Sequence, residues 1–506
     1  MLSLLDKVWI QLFIFWIVLV GLFFFLGFND VFFSGPFGTH FMRQTDSLSF
    51  ASQYFNKGFL FFEPKLFNLK NIDGNAACEF PIIYYITALS YTVFGKNVIT
   101  LKLLHFMIIS LGVFSVFRLS YLLLKDYVYA VLISLFLFTS TVFNYYSFNY
   151  LPDAPALGFT LIGWFLVFQF LNSEKEKHLI GGFVLFTLGS LIKVTYSINP
   201  LSIILIALFS LCFKKHNLIS KIKSKRIITC GVLALILVFI WNFYVLYYNE
   251  IYDSNSFNTT ARPIWDMSNE RIVVVWDHVL NHWNYQYFAH FSLYFIYVAI
   301  FFSIISLKKS SVQLSMLTLI LFVGSACYFF LFYALFKHHD YYFLTFFPFI
   351  VFIIINGLKN FQNITNRAYL HYLVKLFLVI AIFKGINYSS NKLASRYQKT
   401  SDKYVQASVL IQKNMDLIQN LNLPKNSKFV IGPDLCQNGG LYFLDRMGWN
   451  IAKEEDLVID KINDYKNIGA DYLLINSNEH DFLNTDNIDA QLILDGNGIE
   501  IFKLSN

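Results

Sequence analysis

Residues 200–213 (PLSIILIALFSLCF), 214–226 (KKHNLISKIKSKR) and 227–247 (IITCGVLALILVFIWNFYVLY) form one continuous stretch in which two apolar runs flank a strongly basic linker. The second run carries no charge, and about 20 such residues suffice to cross a bilayer as a helix. The linker holds Lys214, Lys215, Lys221, Lys223, Lys225 and Arg226. Lysine and arginine in short loops mark the cytoplasmic side, so this linker fixes an orientation for the whole chain.

Working outward, spans are expected near 8–28, 99–123, 127–144, 154–171, 179–198, 200–213, 227–247, 289–307, 312–335, 341–357 and 369–386. Alternation then places Lys125, Lys175 and Lys177, Lys308 and Lys309, and Lys359 and Arg367 on the side of the basic linker. The expected fold class is therefore an α-helical polytopic membrane protein with about 11 transmembrane helices. The first run follows a single Lys7 and has no small-residue cleavage site, so it is expected to be a retained helix. The segment Pro81–Gly95 is short for a span and would invert every later loop, so it is expected to lie in the interface.

Composition agrees. The 506 residues are 56% hydrophobic and only 14% charged, against roughly one quarter charged in soluble domains. Mean hydropathy is +0.52. The net charge of +7 sits mostly in short loops, which points away from nucleic acid and toward a lipid bilayer. Cys78, Cys212, Cys230, Cys327 and Cys436 show no metal-ligand spacing. Cys78 and Cys436 are the pair that could form a disulfide.

The expected domains are a membrane domain over 1–386, with outer loops 29–98 and 248–288, and an extracytoplasmic domain over 387–506. In that tail, Lys428–Ile431 and Asp471–Ile475 read as strands and 454–467 as a helix, with a hairpin turn at Asp495–Gly498. This describes a small α/β domain, whose removal is expected to weaken recognition more than chemistry.

Ionisable residues collect at the outer ends of spans, where each must be solvated, paired or used. Asp46 follows the first span, with Arg43 three residues before it. Glu79 precedes the interfacial helix. Asp153 lies in Leu151-Pro152-Asp153-Ala154-Pro155, and Lys193 in the outer part of the fifth span. His338, His339 and Asp340 fill a tight turn, and Arg262 belongs to a long aromatic loop. Each also has a plainer reading. Asp153 could cap a helix, Lys193 could snorkel, and Glu79 could be an interfacial charge. The histidines and Arg262 could simply be solvated.

The stretch His40–Gly95 resembles the first external loop of GT-C membrane glycosyltransferases, in the branch of protein O-mannosyltransferases and lipid A aminoarabinose transferases. Asp46-Ser-Leu-Ser-Phe-Ala-Ser-Gln-Tyr-Phe looks like their acidic residue heading an amphipathic helix. Glu79-Phe80-Pro81 through Phe94-Gly95 is similar to their acidic-proline segment and aromatic helix. The Pro-Asp turn at Asp153, Lys193-Val194-Thr195 and the Tyr341-Tyr342 to Pro348 start of a late helix follow in the same order. Relatives often carry Lys-Pro-Pro where this chain has Phe80-Pro81-Ile82, so no phosphate contact is expected at position 80 and the donor is left open.

The resemblance implies a GT-C fold and transfer of a sugar from a polyprenyl-phosphate carrier to a glycan, lipid or protein acceptor on the outer face of the cytoplasmic membrane. It implies inversion at the anomeric carbon, with Asp46 as base and Asp153 assisting. Lys193, Arg262, His338 and His339 are the expected phosphate-side groups, with Arg43, Glu79 and Tyr341 also at the substrate. Some members use a divalent cation such as Mg or Mn and others do not; Asp46 and Asp153 would hold it. A surface-polysaccharide polymerase or ligase and a transporter of lipid-linked substrate are the alternatives. Transporters tend to place charges at the bilayer midplane and to show internal repeats, and neither is visible here.

Overall fold

The computed structural model describes residues 7–213, 219–257, 260–305, 312–397, 404–476 and 490–504. Lys214, Lys215, Lys308 and Lys309 therefore lie outside the described residues. Eight described helices are long and apolar enough to cross a membrane: Val8–Phe25, Ile99–Leu124, Asp153–Ser173, Val194–Cys212, Lys221–Ile251, Val312–Leu331, Asp340–Ile364 and Ala368–Tyr397. Two bent pairs, Tyr127–Thr139 with Thr141–Ser147 and Asn269–Tyr287 with His290–Ile304, raise the number to ten if each is one span. The eleventh expected segment is the helix Glu176–Ile192, which has 17 residues. Where a span was expected over 127–144, the helix bends by 83°. Ser140 sits at the bend and caps the second piece, its hydroxyl accepting from the Phe143 amide at 3.2 Å. Ile82–Phe94 has 13 residues, short of the length a span needs.

The chain divides into two compact units, Met1–Phe32, Leu103–Phe243 and Thr260–Ala394 in one and Phe33–Lys102, Tyr244–Thr259 and Ser395–Asn506 in the other. The compact units cut across the expected boundary at 386/387, because the first long loop folds with the tail.

In the helical unit, small residues let backbones approach, the usual device where lipid gives no hydrophobic drive for helix association. A Cβ at Gly158 would sit 2.7 Å from the Ile108 carbonyl oxygen, and one at Gly112 would sit 2.8 Å from the Gly158 Cα. Gly163, Gly182 and Gly189 do the same between Asp153–Ser173 and Glu176–Ile192. Trp164 fills the space beyond, edge-on to Phe186 and Phe352, and its indole N–H donates to Asn199 Oδ1 at 2.7 Å.

The second unit is built on a five-stranded sheet of order β2-β1-β3-β5-β4. Its strands are β1 (Phe429–Gly432), β2 (Gly448–Asn450), β3 (Tyr472–Asn476), β4 (Ala490–Gly496) and β5 (Ile499–Leu504). β1 pairs in parallel with β2 and β3, and β5 runs antiparallel to both β3 and β4. Val430, Trp449, Leu473, Ile475 and Phe502 pack with Ile462 of the helix Ile459–Asn467 into its core. The edge of β2 is covered by the first long loop: Leu69 N–H donates to the Gly448 carbonyl at 2.7 Å, and Gly448 N–H to that of Phe67 at 3.1 Å. An edge strand left open would invite pairing with another chain. On this scaffold lies the helix Phe41–Asn56, with Phe41, Leu48, Phe50 and Tyr54 buried. Phe41 packs with Val405 and Cys436 of the tail, flanked by Met42, Val409 and Phe443. Cys78 and Cys436 are both free thiols, so the considered disulfide is not formed.

Candidate active site

Each compact unit gathers part of the expected residue set. In the sheet unit, Asp46 lies on the second turn of Phe41–Asn56, one turn beyond Arg43, so both project from the same helix face. Arg43 Nη2 donates to both carboxylate oxygens of Glu79 at 2.5 Å. Its Nη1 stands 3.7 Å from Asp46 Oδ2, and its guanidinium lies 4.9 Å from the centre of the Phe257 ring. Glu79 also accepts from the Tyr84 hydroxyl and, at 2.6 Å, from the Cys78 thiol. Asp46 Oδ1 accepts from the Asn438 side-chain amide at 2.8 Å.

Burial lifts the Asp46 carboxyl to about 6, partly opposed by the Arg43 charge and the Asn438 hydrogen bond. Desolvation penalises the ionised form, while a cation and a donated hydrogen bond favour it. The balance leaves a carboxylate that is ionised at neutral pH yet more basic than an exposed one. Burial likewise pushes the Tyr84 and Cys78 hydrogens to stay on, Glu79 adding to it. Both are therefore donors to Glu79.

In the helical unit, Asp153 opens its helix as the first residue; Pro152 precedes it and no side chain caps the end. Its carboxylate pairs with Lys193 Nζ at 3.1 Å. Lys193 ends the helix Glu176–Ile192 with an extended backbone, at the break before Val194. Its ammonium lies 5.1 Å and 5.0 Å from the ring centres of Tyr341 and Tyr342, within cation–π range. The Tyr341 hydroxyl meets His339 Nδ1 at 3.1 Å, and Asp340 accepts from the Tyr146 hydroxyl at 2.6 Å.

The expected histidine pair thus separates: His339 joins the tyrosines, whereas His338 is exposed. Arg262 has an exposed side chain and no ion pair among the described residues, and only its carbonyl is engaged, by the Ala334 amide. Phe80, at the position where lysine was noted as missing, packs against Phe61.

Among the described residues no three His, Cys, Asp or Glu side chains are grouped so that they could hold a metal ion. Arg43 supplies the positive charge between Asp46 and Glu79, the place a divalent ion would take, and Asp153 is paired with Lys193.

Residues 79–242 match the family model described as dolichyl-phosphate-mannose-protein mannosyltransferase. ArnT from Cupriavidus metallidurans superposes with a TM-score of 0.58 at 10% identity, over 96% of this chain and 97% of that one. The same protein bound to undecaprenyl phosphate gives 0.60. The chain has the GT-C glycosyltransferase fold. Archaeal oligosaccharyltransferase AglB from Archaeoglobus fulgidus, solved with an inhibitory peptide and a dolichol-phosphate, has the GT-C fold too. It gives 0.54 at 12% identity, over 93% of this chain and 70% of that one. No curated protein sequence matches significantly. With a transferase model on its matched segment, this GT-C chain is a membrane glycosyltransferase.

Sequence reasoning missed Asn438 and Tyr146. Asn438 lies far along the chain in Gln437-Asn438-Gly439-Gly440, where the glycine pair was the available signal. A Cβ at Gly439 would sit 2.5 Å from Ser408 Oγ and 2.9 Å from Cys436 Sγ, so the loop needs to be bare there.

Proposed function

We propose that this chain transfers a sugar from a polyprenyl-phosphate carrier to a hydroxyl acceptor at the outer face of the cytoplasmic membrane, inverting the anomeric carbon. The acceptor oxygen attacks that carbon as its bond to the carrier phosphate breaks. Asp46 takes the hydroxyl proton, and the phosphate leaves as an anion. The observation that carries the reading is the Asp46 carboxylate itself: buried, raised to about 6, and held at Oδ1 by Asn438. A base works best when its pKa lies near the operating pH.

The leaving group needs cations more than an acid. Lys193 is the candidate, its ammonium shared between Asp153 and two tyrosine rings. The undecaprenyl phosphate and dolichol-phosphate in the GT-C neighbours support a carrier of this kind.

The test is purified protein in proteoliposomes, supplied with labelled undecaprenyl-phosphate sugars and with lipid, glycan and peptide acceptors. Label moving to an acceptor with inverted anomeric configuration supports the reading. Label crossing the bilayer still on its carrier, with no transfer, would replace it with lipid transport.

A further inference from the structure

The tail loop 434–440 is tied to Asp46 by a chain of buried polar contacts. Asn438 Oδ1 accepts from the Asn68 backbone N–H at 3.1 Å. A backbone N–H can only donate, so the amide oxygen must face it and the amide NH2 must face Asp46. Asn68 is fixed in turn, its side chain donating to the Gln437 carbonyl at 2.7 Å and to Asn450 Oδ1 at 2.8 Å. Asn450 donates to the Asp434 carbonyl at 2.7 Å. The Asp434 carboxylate accepts from the Cys436 and Gly440 amides at 2.9 and 3.2 Å, which curls the loop around Asn438. Asn68, Asn438, Asn450 and Asp434 are each no more than 2% exposed. Below the loop, Cys436 Sγ touches Thr45 Oγ1 at 3.4 Å, on the residue next to Asp46.

We propose that Asn438 is a positioning residue: by holding Asp46 Oδ1 it turns Oδ2 into the oxygen that accepts the substrate proton. Oδ2 stands 3.7 Å from Arg43, beyond hydrogen-bond length. Without the Asn438 donor, the carboxylate is free to rotate onto Arg43 as a two-pronged pair, which removes it from the attacking hydroxyl. Misplacing a reacting group by about 1 Å costs on the order of 100-fold in rate. Supporting groups that lock a side chain are how such misplacement is prevented.

The inference rests on Asp46 being the base. Its test is Asn438→Leu, which keeps the approximate side-chain size but donates nothing to Asp46, with Asn438→Ala beside it. The probe is the undecaprenyl-phosphate sugar that the wild type accepts. Both variants are expected to lose at least tenfold in kcat with KM for the donor within twofold and thermal midpoint within a few degrees of wild type. Ile462→Ala, in the core of the sheet and outside this network, should lower the thermal midpoint while keeping kcat within threefold. Either variant at Asn438 with wild-type kcat, or kcat and midpoint falling together in all three, would overturn the proposal. Asp46→Asn separates the levels. If it stays active, the base reading itself falls; if it is dead while Asn438→Leu is normal, only the positioning role falls.

Discussion

At Asp46 two effects compete, and their balance has a measurable sign. Burial raises the carboxyl while Arg43 and Asn438 lower it, leaving it at about 6. The base is active when ionised, so kcat/KM should fall about tenfold per pH unit on the acid side, with an apparent pKa near 6. An acid limb near the ordinary carboxylate value would show that Asp46 is not the titrating group. Lys193 raises a different balance. Asp153 is almost wholly buried, and Lys193 is about one-fifth exposed. Lys193→Met takes the ammonium away from that carboxylate, a change worth about 3 kcal/mol when one partner of a buried pair is removed. Thermal unfolding in detergent should show that loss, with Lys193→Arg recovering most of it. The sequence placed both acids because each stands at a span end, where charge is conspicuous. It could not find Asn438, because an uncharged amide nearly 400 residues away carries no local pattern.

Element-level features were legible in proportion to their periodicity. The apolar runs, the strands near Phe429 and Tyr472 and the hairpin turn at Asp495–Gly498 follow from pattern and turn chemistry. The bend at Ser140 does not, because a capping hydroxyl inside an apolar run looks like any buried serine. The close crossing at Gly112 and Gly158 was equally silent. Gly158→Leu should separate Ile99–Leu124 from Asp153–Ser173 and displace Asp153 at the head of its helix, lowering both thermal midpoint and transfer rate. A variant with unchanged midpoint would contradict that packing. The tail loop makes its own prediction. Burial raises the Asp434 carboxyl to about 7, against Lys70 and two backbone donors. Between the ordinary carboxylate value and about 7 the folded state keeps a proton that the unfolded chain has released. Stability is therefore greatest below that window and falls as pH rises through it. Asp434→Asn should flatten this slope in a series of thermal melts from pH 4.5 to 8. An unchanged slope would place the titration elsewhere.

For the whole molecule, the tail was expected to be a separate domain whose loss weakens recognition more than chemistry. The structure joins Ser395–Asn506 to Phe33–Lys102 in one compact unit. Sequence reading separated them because pairing between Phe67–Leu69 and Gly448 is non-local and leaves no trace in either segment alone. Removing 395–506 would expose Phe41, Leu66 and Phe67, and would take away Asn438. The truncated chain should lose transfer entirely and be cut by protease within 33–102. Retained chemistry with weakened acceptor binding would restore the separate-domain view.

The central claim is that one carboxylate on the helix Phe41–Asn56 does the proton chemistry of a GT-C fold. Its most direct test is transfer from a labelled undecaprenyl-phosphate sugar by Asp46→Asn, an isosteric change, alongside its thermal midpoint. The account predicts a fall of at least about 100-fold in a protein that melts like the wild type or higher, since a costly buried charge has been removed. A well-folded Asp46→Asn protein that transfers sugar within threefold of the wild-type rate would contradict it.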